Sequence, residues 1–232
     1  MVDNIGFKLI LEGLIVNYTM GILTFCSGML FSDGIVPVMN SIFRVISIIA
    51  IVVIIYGIGR VSQISEDLRH TKNIYIFQIV FDCFANILTT IMVVIDGFMT
   101  EHRMLSVGSV FGYFIIRECI LNYMEIKGLV NGINEYLTNL GDKECTMKNN
   151  SAFHLVKRSL LWLLIGLVMF LGLIITCIIF QTTISEMGWL AVIVFLVSLV
   201  TIFISIIANT IARFFLIKNF GKSYQVIKEL GE

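Results

Sequence analysis

The sequence predicts an all-α membrane protein with six transmembrane helices, arranged as three helical hairpins with both termini in the cytoplasm. The first observation is composition: 58% of the 232 residues are hydrophobic and 14% are charged, whereas soluble domains average about 25% charged residues. The second is the number of apolar stretches that reach the roughly 20 residues a helix needs to cross a bilayer. Six such stretches lie at about residues 9–31, 38–59, 74–98, 104–124, 159–180 and 189–212.

The third observation is that lysine and arginine fall in alternate connecting segments. Outside the six stretches, 13 of these residues lie in the two terminal segments and in the loops after the second and fourth stretches. The other three loops contain only Arg103. Because cytoplasmic loops of membrane proteins carry the excess of Lys and Arg, both termini are predicted to be cytoplasmic. The small size and short loops favour the plasma membrane of a bacterial cell.

The connecting segments are too short to hold a second domain. None exceeds roughly 35 residues, and independent domains usually begin at about 50 residues. Residues 1–232 are therefore predicted to form one integral membrane domain. The predicted outer loops are short and the inner ones longer, so the stretches pair in sequence order as three hairpins.

The longest connecting segment, residues 125–158, is predicted to be cytoplasmic and amphipathic. Its apolar residues recur at helical spacing along one face, and Gly141 follows where a helix C-cap is expected. Two interpretations are open: the helix covers the cytoplasmic end of the bundle, or it docks a soluble partner such as an ATPase or a regulator. A second short helix is expected at residues 152–158. The apolar face consists of Ile126, Leu129, Val130, Ile133, Leu137 and Leu140.

Ionisable side chains inside the predicted stretches are the first candidates for function. Such groups are unfavourable in hydrocarbon unless they find a partner, water or the interface. Asp82 and Arg117 lie at a similar distance from the cytoplasmic side, counted at 1.5 Å per helical residue, and are predicted to form an ion pair. Arg44 and Asp96 lie toward the outer side and form a second predicted pair.

Further polar residues are expected to join Asp82 and Arg117 in one intramembrane cluster. Residues four apart share a helix face, and such a face is expected to point into the bundle because polar groups facing lipid lack partners. The cluster either holds the helices together or lines a cytoplasm-facing cavity, where a carboxylate in excess over arginine binds a cation or a proton. Its predicted members are Glu12, Gln78, Asp82, Asn86, Arg117 and Glu118.

The sequence lacks the signatures of several other classes of protein. It contains no His-Glu-x-x-His, Gly-x-Ser-x-Gly, Cys-x-x-Cys or Gly-rich phosphate-loop motif, and its three histidines fall in three separate loops. No metal site, cofactor or enzyme activity is therefore expected, and an intramembrane enzyme is the less favoured alternative. Nothing resembles the basic, aromatic surface of a nucleic-acid-binding protein.

Two classes of function follow from these features. The first is a permease or transport-accessory subunit for a small solute or ion, whose inner polar cluster contacts that solute. The second is a non-transporting structural or regulatory membrane protein that recruits or senses a cytoplasmic partner through its juxtamembrane helices. Pro37 is the only proline, so none of the broken helices typical of transporters is predicted. Gly108 and Gly112 are compatible with packing within the chain or in a homo-oligomer.

Overall fold

The computed structural model describes residues 4–30, 36–96, 112–113, 115–180 and 188–230. These residues are helical apart from short turns, and none of them lies in a β-strand, which confirms the all-helical part of the fold prediction. The elements are α1 (Asn4–Leu30), α2 (Val36–Val61), α3 (Glu66–Asp96), a π-helical segment (Ile115–Leu121), α4 (Asn122–Asn139), α5 (Lys143–Phe180) and α6 (Trp189–Leu230).

Four of these helices contain segments long and apolar enough to cross a membrane. The segments are Asn4–Thr24, Ser41–Val61, Lys143–Cys177 and Trp189–Leu230, and they contain most or all of the first, second, fifth and sixth predicted stretches. The third stretch lies mostly in α3. Of the fourth stretch, residues 104–111 and 114 fall outside the described part of the chain.

The predicted helix end at Gly141 is confirmed. Gly141 has a φ of 83°, a left-handed conformation that glycine adopts without steric penalty. Its amide donates to the Thr138 carbonyl at 3.0 Å, and the Asp142 amide donates to the Leu137 carbonyl at 2.9 Å, the paired hydrogen bonds of a Schellman cap. The Asp142 carboxylate then accepts from the Cys145 amide at 2.9 Å and caps the start of α5. Residues 152–158 are helical and lead into the fifth predicted stretch as expected, but they belong to one continuous helix that begins at Lys143 and not to a separate short one.

Close helix packing characterises the first of two compact units, which comprises Met1–Ile79, Lys127–Asn150 and Phe215–Glu232. A Cβ atom on Gly57 of α2 would lie 2.8 Å from the carbonyl oxygen of Gly6 on α1. A Cβ atom on Gly132 of α4 would lie 2.4 Å from Cγ of Leu68 on α3. Gly57 therefore allows the backbones of α1 and α2 to approach closely, and Gly132 leaves room for the Leu68 side chain against α4.

The second unit comprises Val80–Ile126 and Ser151–Phe214. Within it α5 and α6 pack through Gly166, where an added Cβ would lie 2.9 Å from Cγ1 of Ile202. The rings of Phe170 and Phe195 also pack together, with centroids 5.6 Å apart. This unit contains Asp82, Arg117 and Glu118, three of the residues that the sequence singles out.

Candidate functional site: a charge cluster around Asp82 and Arg117

The carboxylate of Asp82 on α3 is held by two donors in the second unit. Tyr113 donates its hydroxyl hydrogen to Oδ1 at 2.9 Å. The Arg117 Nε atom lies 3.2 Å from Oδ1 and donates to Oδ2 at 3.3 Å. The side chains of Arg117 and Asp82 are 15% and 26% exposed, so the ion pair is largely shielded within the protein. The structure thus brings together the two residues that the sequence pairs by depth.

Arg117 extends the cluster to a second carboxylate. Its Nη1 atom donates to Oδ1 of Asn122 at 3.2 Å. The Asn122 amide nitrogen in turn donates to Oε2 of Glu118 at 2.7 Å. The result is a continuous chain of hydrogen bonds from phenol to carboxylate, guanidinium, amide and carboxylate. In this chain a change of charge at one end alters the electrostatic environment of the other.

The π-helical segment Ile115–Leu121 carries Arg117 and Glu118. A π-helix closes its hydrogen bonds between residues five apart, and this spacing accounts for the contact between Arg117 and Asn122, which are five residues apart. π-Helical turns are rare and occur frequently at functional sites. The sequence does not indicate this segment, because its residues are compatible with an α-helix.

Glu125 in the first turn of α4 is a charged residue of this unit that the sequence analysis placed in the cytoplasmic segment. Its side chain is buried, with 4% of the residue exposed. It follows directly after the predicted fourth stretch. Burial raises the pKa of its carboxyl to about 7, while the charges of Arg117 and Arg213 lower this pKa and those of Glu118 and Asp82 raise it. Glu125 lies three residues after Asn122 and seven after Glu118, a spacing typical of one helix face. This spacing is the signal in the sequence that could have assigned Glu125 to the cluster.

Arg213 on α6 is the second guanidinium in the second unit whose charge acts on Glu125. Its Nε atom donates to Oδ1 of Asn209 at a long 3.4 Å. Its Nη2 atom is buried and has no hydrogen-bond partner among the described residues. A buried guanidinium nitrogen without an acceptor is unfavourable, so an acceptor that approached Arg213 would be bound strongly.

The other predicted cluster members have different surroundings. Glu12 pairs with Lys8 at 3.6 Å on α1, and both side chains are more than half exposed. Gln78 is buried, and both Glu12 and Gln78 belong to the first unit. Asn86 lies within α3, but its side chain is outside the described part of the structure.

The predicted outer ion pair stays a prediction. Arg44 is exposed on α2, whereas the side chain of Asp96 falls outside the described residues. Asp96 is the last residue of α3.

The apolar face of α4 packs inside the protein. Leu129, Val130, Ile133 and Leu137 are buried in the first unit and Ile126 is buried in the second, while Leu140 is partly exposed. Phe7 of α1 packs on Tyr136 of α4, with ring centroids 5.2 Å apart. This arrangement corresponds to the first interpretation, in which the helix covers other helices of its own chain. Docking of a partner on this face would require five core side chains to leave their contacts.

The polar side of α4 borders an open groove in the first unit. The groove has a volume of about 840 Å³ and is lined by side chains of α3, α4 and α5. Acidic and amide groups predominate, and this surface is not evident from the sequence because its residues come from three separate helices. The lining residues are Glu66, Asp67, His70, Asn131, Asn134, Glu135, Thr138 and Asn150.

No group of three or more His, Cys, Asp or Glu side chains is placed to hold a metal ion in the described part of the chain. A comparison of the chain with protein-family models, with curated proteins and with solved structures finds no match.

Proposed function

We propose that this protein is a six-span, three-hairpin membrane protein with cytoplasmic termini that acts as a permease or transport-accessory subunit for a small solute or ion. The observation that carries the proposal is the hydrogen-bonded charge cluster of Asp82, Arg117 and Glu118 on the predicted third and fourth spans. Membrane embedding, charge balance and helix geometry each contribute a step to the argument.

Exposed apolar side chains support membrane embedding. On α6 the exposed surface is apolar from Trp189, which is 85% exposed, to Phe215. At 1.5 Å per residue this surface is about 40 Å long, enough to cross the roughly 30 Å hydrocarbon core of a bilayer. Soluble monomeric proteins rarely expose apolar surface of this extent. The exposed members on this helix include Ile193, Leu196, Val200, Phe203, Ile207, Ile211 and Phe214.

A change from apolar to basic surface on four helices supports the cytoplasmic boundary. On each helix a large exposed apolar residue lies within about one turn of a lysine or arginine. Aromatic and basic residues are typical of the interface, and basic residues mark its cytoplasmic side. The pairs are Tyr56 and Arg60 on α2, Ile76 and Lys72 on α3, Leu161 and Arg158 on α5, and Phe215 and Lys218 on α6.

The balance of charge supports a cationic solute. Three carboxylates, those of Asp82, Glu118 and Glu125, act together with two guanidiniums, those of Arg117 and Arg213. When all five of these described groups are ionised, together they carry one excess negative charge. A buried excess charge is unfavourable unless a counter-ion compensates it, so the cluster has an electrostatic preference for a small cation.

The π-helical segment is an independent argument for function. Bundle helices are held together well by apolar packing and neutral hydrogen bonds, and an ion pair is not needed for that purpose. A rare backbone conformation that positions Arg117 and Glu118 is therefore better explained by a role in binding than by a role in cohesion.

The test is flux through the reconstituted protein. Proteoliposomes that contain a trapped pH dye would be assayed for proton flux, and parallel samples for Na⁺ and K⁺ flux. Asp82→Asn combined with Arg117→Gln preserves net charge, and we expect it to preserve assembly on size-exclusion chromatography but to abolish flux. The matched control is Glu144→Gln with Lys148→Gln, which removes an exposed ion pair on α5. Wild-type protein that passes none of the three ions, or a double variant with normal flux, would contradict the proposal.

The span map has its own test. In a variant without the five native cysteines, a single cysteine at the exposed position 143 should react with an impermeant reagent only after the cells are opened. A cysteine placed between residues 181 and 188 should react in intact cells. The reverse pattern would overturn the proposed orientation.

A second candidate function is recruitment or sensing of a cytoplasmic protein partner without transport. The observation that favours it is the open groove in the first unit, whose Glu66, Asp67 and Glu135 suit a basic segment. Under this alternative the reconstituted protein shows no flux. Glu135→Arg should then reduce the affinity for a co-purifying basic partner, and an unchanged affinity would exclude the groove as its docking surface.

A further inference from the structure

Glu125 stands out among the charged groups of the second unit because of its burial. Its residue is 4% exposed, and it lies in the first turn of α4, directly after the π-helical segment. The charged groups that act on it come from three further parts of the chain. These are Asp82 from α3, Arg117 and Glu118 from the π-helical segment, and Arg213 from α6.

The contacts of the two arginines determine how well an ionised Glu125 is compensated. Arg117 already binds the carboxylate of Asp82 and the amide oxygen of Asn122. The charge of Arg117 is therefore shared with a carboxylate that it contacts directly. Arg213 keeps a buried Nη2 atom without a hydrogen-bond partner among the described residues.

The cluster therefore has two charge states that differ in free energy. With Glu125 protonated, Asp82 and Glu118 balance Arg117 and Arg213, and the buried cluster is neutral. With Glu125 ionised, these five groups carry a net charge of minus one, and the cost of a buried charge is lowered by a donor that has no hydrogen-bond partner of its own among the described residues. Nη2 of Arg213 is a donor of that kind, so the ionised state favours an approach of Glu125 to Arg213.

We infer that the cluster has a binding site for one proton, that Glu125 is the group that takes it up, and that ionised Glu125 is stabilised by Arg213. Its position directly after the predicted fourth span places this proton at the cytoplasmic end of the bundle. Burial raises the pKa of Glu125 to about 7, so the site exchanges its proton within the range of cytoplasmic pH. The use of this proton to drive transport rests on the proposed function, whereas its binding does not.

The proton site is tested by infrared titration of the full-length protein in detergent. A protonated carboxylic acid has a carbonyl stretch that an ionised carboxylate lacks. We expect the wild-type protein to retain such a band above the pH at which ordinary carboxyls ionise, and to lose it as the pH rises through about 7. This band, which titrates near neutral pH, should be absent from Glu125→Gln. Glu135→Gln, which changes an exposed glutamate on the same helix, is the matched control and should keep the band.

Two results would overturn the assignment: no band that titrates near neutral pH in the wild-type protein, or an unchanged band in Glu125→Gln. If Glu125→Gln does not fold, Glu125→Asp retains a carboxyl group at the same position and should give a band with a shifted midpoint. An unshifted midpoint would assign the proton to another residue.

The role of Arg213 is tested separately with Arg213→Gln. Loss of the donor that stabilises ionised Glu125 should move the infrared midpoint to higher pH, and a midpoint that stays in place would exclude this partner. Proteoliposome flux separates the proton site from transport. A titrating band without flux leaves the site intact and removes the transport proposal, whereas flux without such a band removes the site alone.

Discussion

In the first unit the hydrogen-bonded network of buried side chains is made of neutral amides and a hydroxyl, whereas in the second unit the corresponding network is charged. Asn149 is fully buried and donates to Oδ1 of Asn134 at 3.0 Å and to Oγ of Ser223 at 3.1 Å. Asn134 donates in turn to Asn150 at 2.8 Å. These contacts join α4, α5 and α6 without any ionised group.

The second unit uses Asp82, Arg117 and Glu118 for the same purpose of satisfying buried polar atoms. A neutral amide network needs no counter-charge and does not titrate, so it holds its geometry at every pH. A charged cluster pays a desolvation penalty and changes state when one member gains or loses a proton. The neutral network of the first unit therefore keeps one arrangement, whereas we propose that the charged cluster of the second unit responds to protons or cations.

Placing a charge in the neutral network should produce the largest effect. Asn149→Asp replaces a donor with an ionised carboxylate that faces the Asn134 oxygen. We expect a loss of about 3–5 kcal/mol in the free energy of unfolding at neutral pH, the range seen for uncompensated buried charges. Unfolding by a denaturing detergent measures it. Asn73→Asp, an exposed change on α3, should be nearly neutral. Equal losses in both variants would show that the buried network around Asn149 does not require neutral groups.

The pH dependence of stability should differ between the wild-type protein and Glu125→Gln. The pKa of Glu125 is about 7 in the folded protein and 4.5 in an unperturbed carboxyl, so the folded state binds the proton more tightly. The protonation of Glu125 therefore contributes to the free energy of unfolding, and this contribution is fully present below about pH 4.5. It is lost as the pH rises to about 7, and its size is on the order of 3 kcal/mol. Unfolding midpoints measured across this range should fall in the wild type and less steeply in the variant. Parallel curves would show that Glu125 is not responsible.

Overpacking the contact between the backbones of α1 and α2 in the first unit should have an intermediate effect. In Gly57→Val the new side chain meets the carbonyl oxygen of Gly6, which lies 2.8 Å from the position of an added Cβ. Because this neighbour is backbone, relief requires the helices to separate, and we expect a loss of about 1–3 kcal/mol. Gly21→Val is the control, since nothing lies within 4 Å of its Cβ position. A stable Gly57→Val variant would show that α1 and α2 tolerate a wider spacing.

A double-mutant cycle between Asp82 and Arg117 should give the smallest energy of the series. Each single change leaves the partner without its counter-charge, whereas Asp82→Asn with Arg117→Gln removes both charges together. We expect a coupling energy of about 1–2 kcal/mol, reduced from that of a fully buried pair because both side chains are partly exposed. Unfolding of the four proteins under identical conditions measures this energy. Additive losses would mean that the observed contact contributes nothing to stability.

Much of the local structure was predictable from the residues alone. The apolar periodicity of residues 126–140 indicated the helix α4, and Gly141 indicated its end. The counted depth of Asp82 and Arg117 indicated that they meet. Each of these inferences uses spacing within one helix or the length of a helix, quantities that depend on neighbouring residues in the chain.

The docking role suggested for α4 illustrates what periodicity leaves open. Ile133 and Leu137 form an apolar face under either interpretation, and only their burial in the first unit decides that this face packs within the chain. Glu12 illustrates the same point from a polar residue. The position of Glu12 in the sequence was compatible with membership of the cluster. In the structure Glu12 pairs with Lys8, which lies one helical turn away on the same helix.

The sequence by itself determined that the chain is largely helical and apolar enough for a bilayer, and which charged residues lie within apolar stretches. It predicted six spans, and among the described residues four helices are long and apolar enough to cross a bilayer. Only the tertiary structure decided the division into two units, the contact of Asn149 with Ser223 across 74 residues and the burial of Glu125. The physical reason is that propensity and periodicity act over a few neighbouring residues. Which helix faces meet depends on packing among residues distant in the chain, and this packing sets the surroundings of each buried charge.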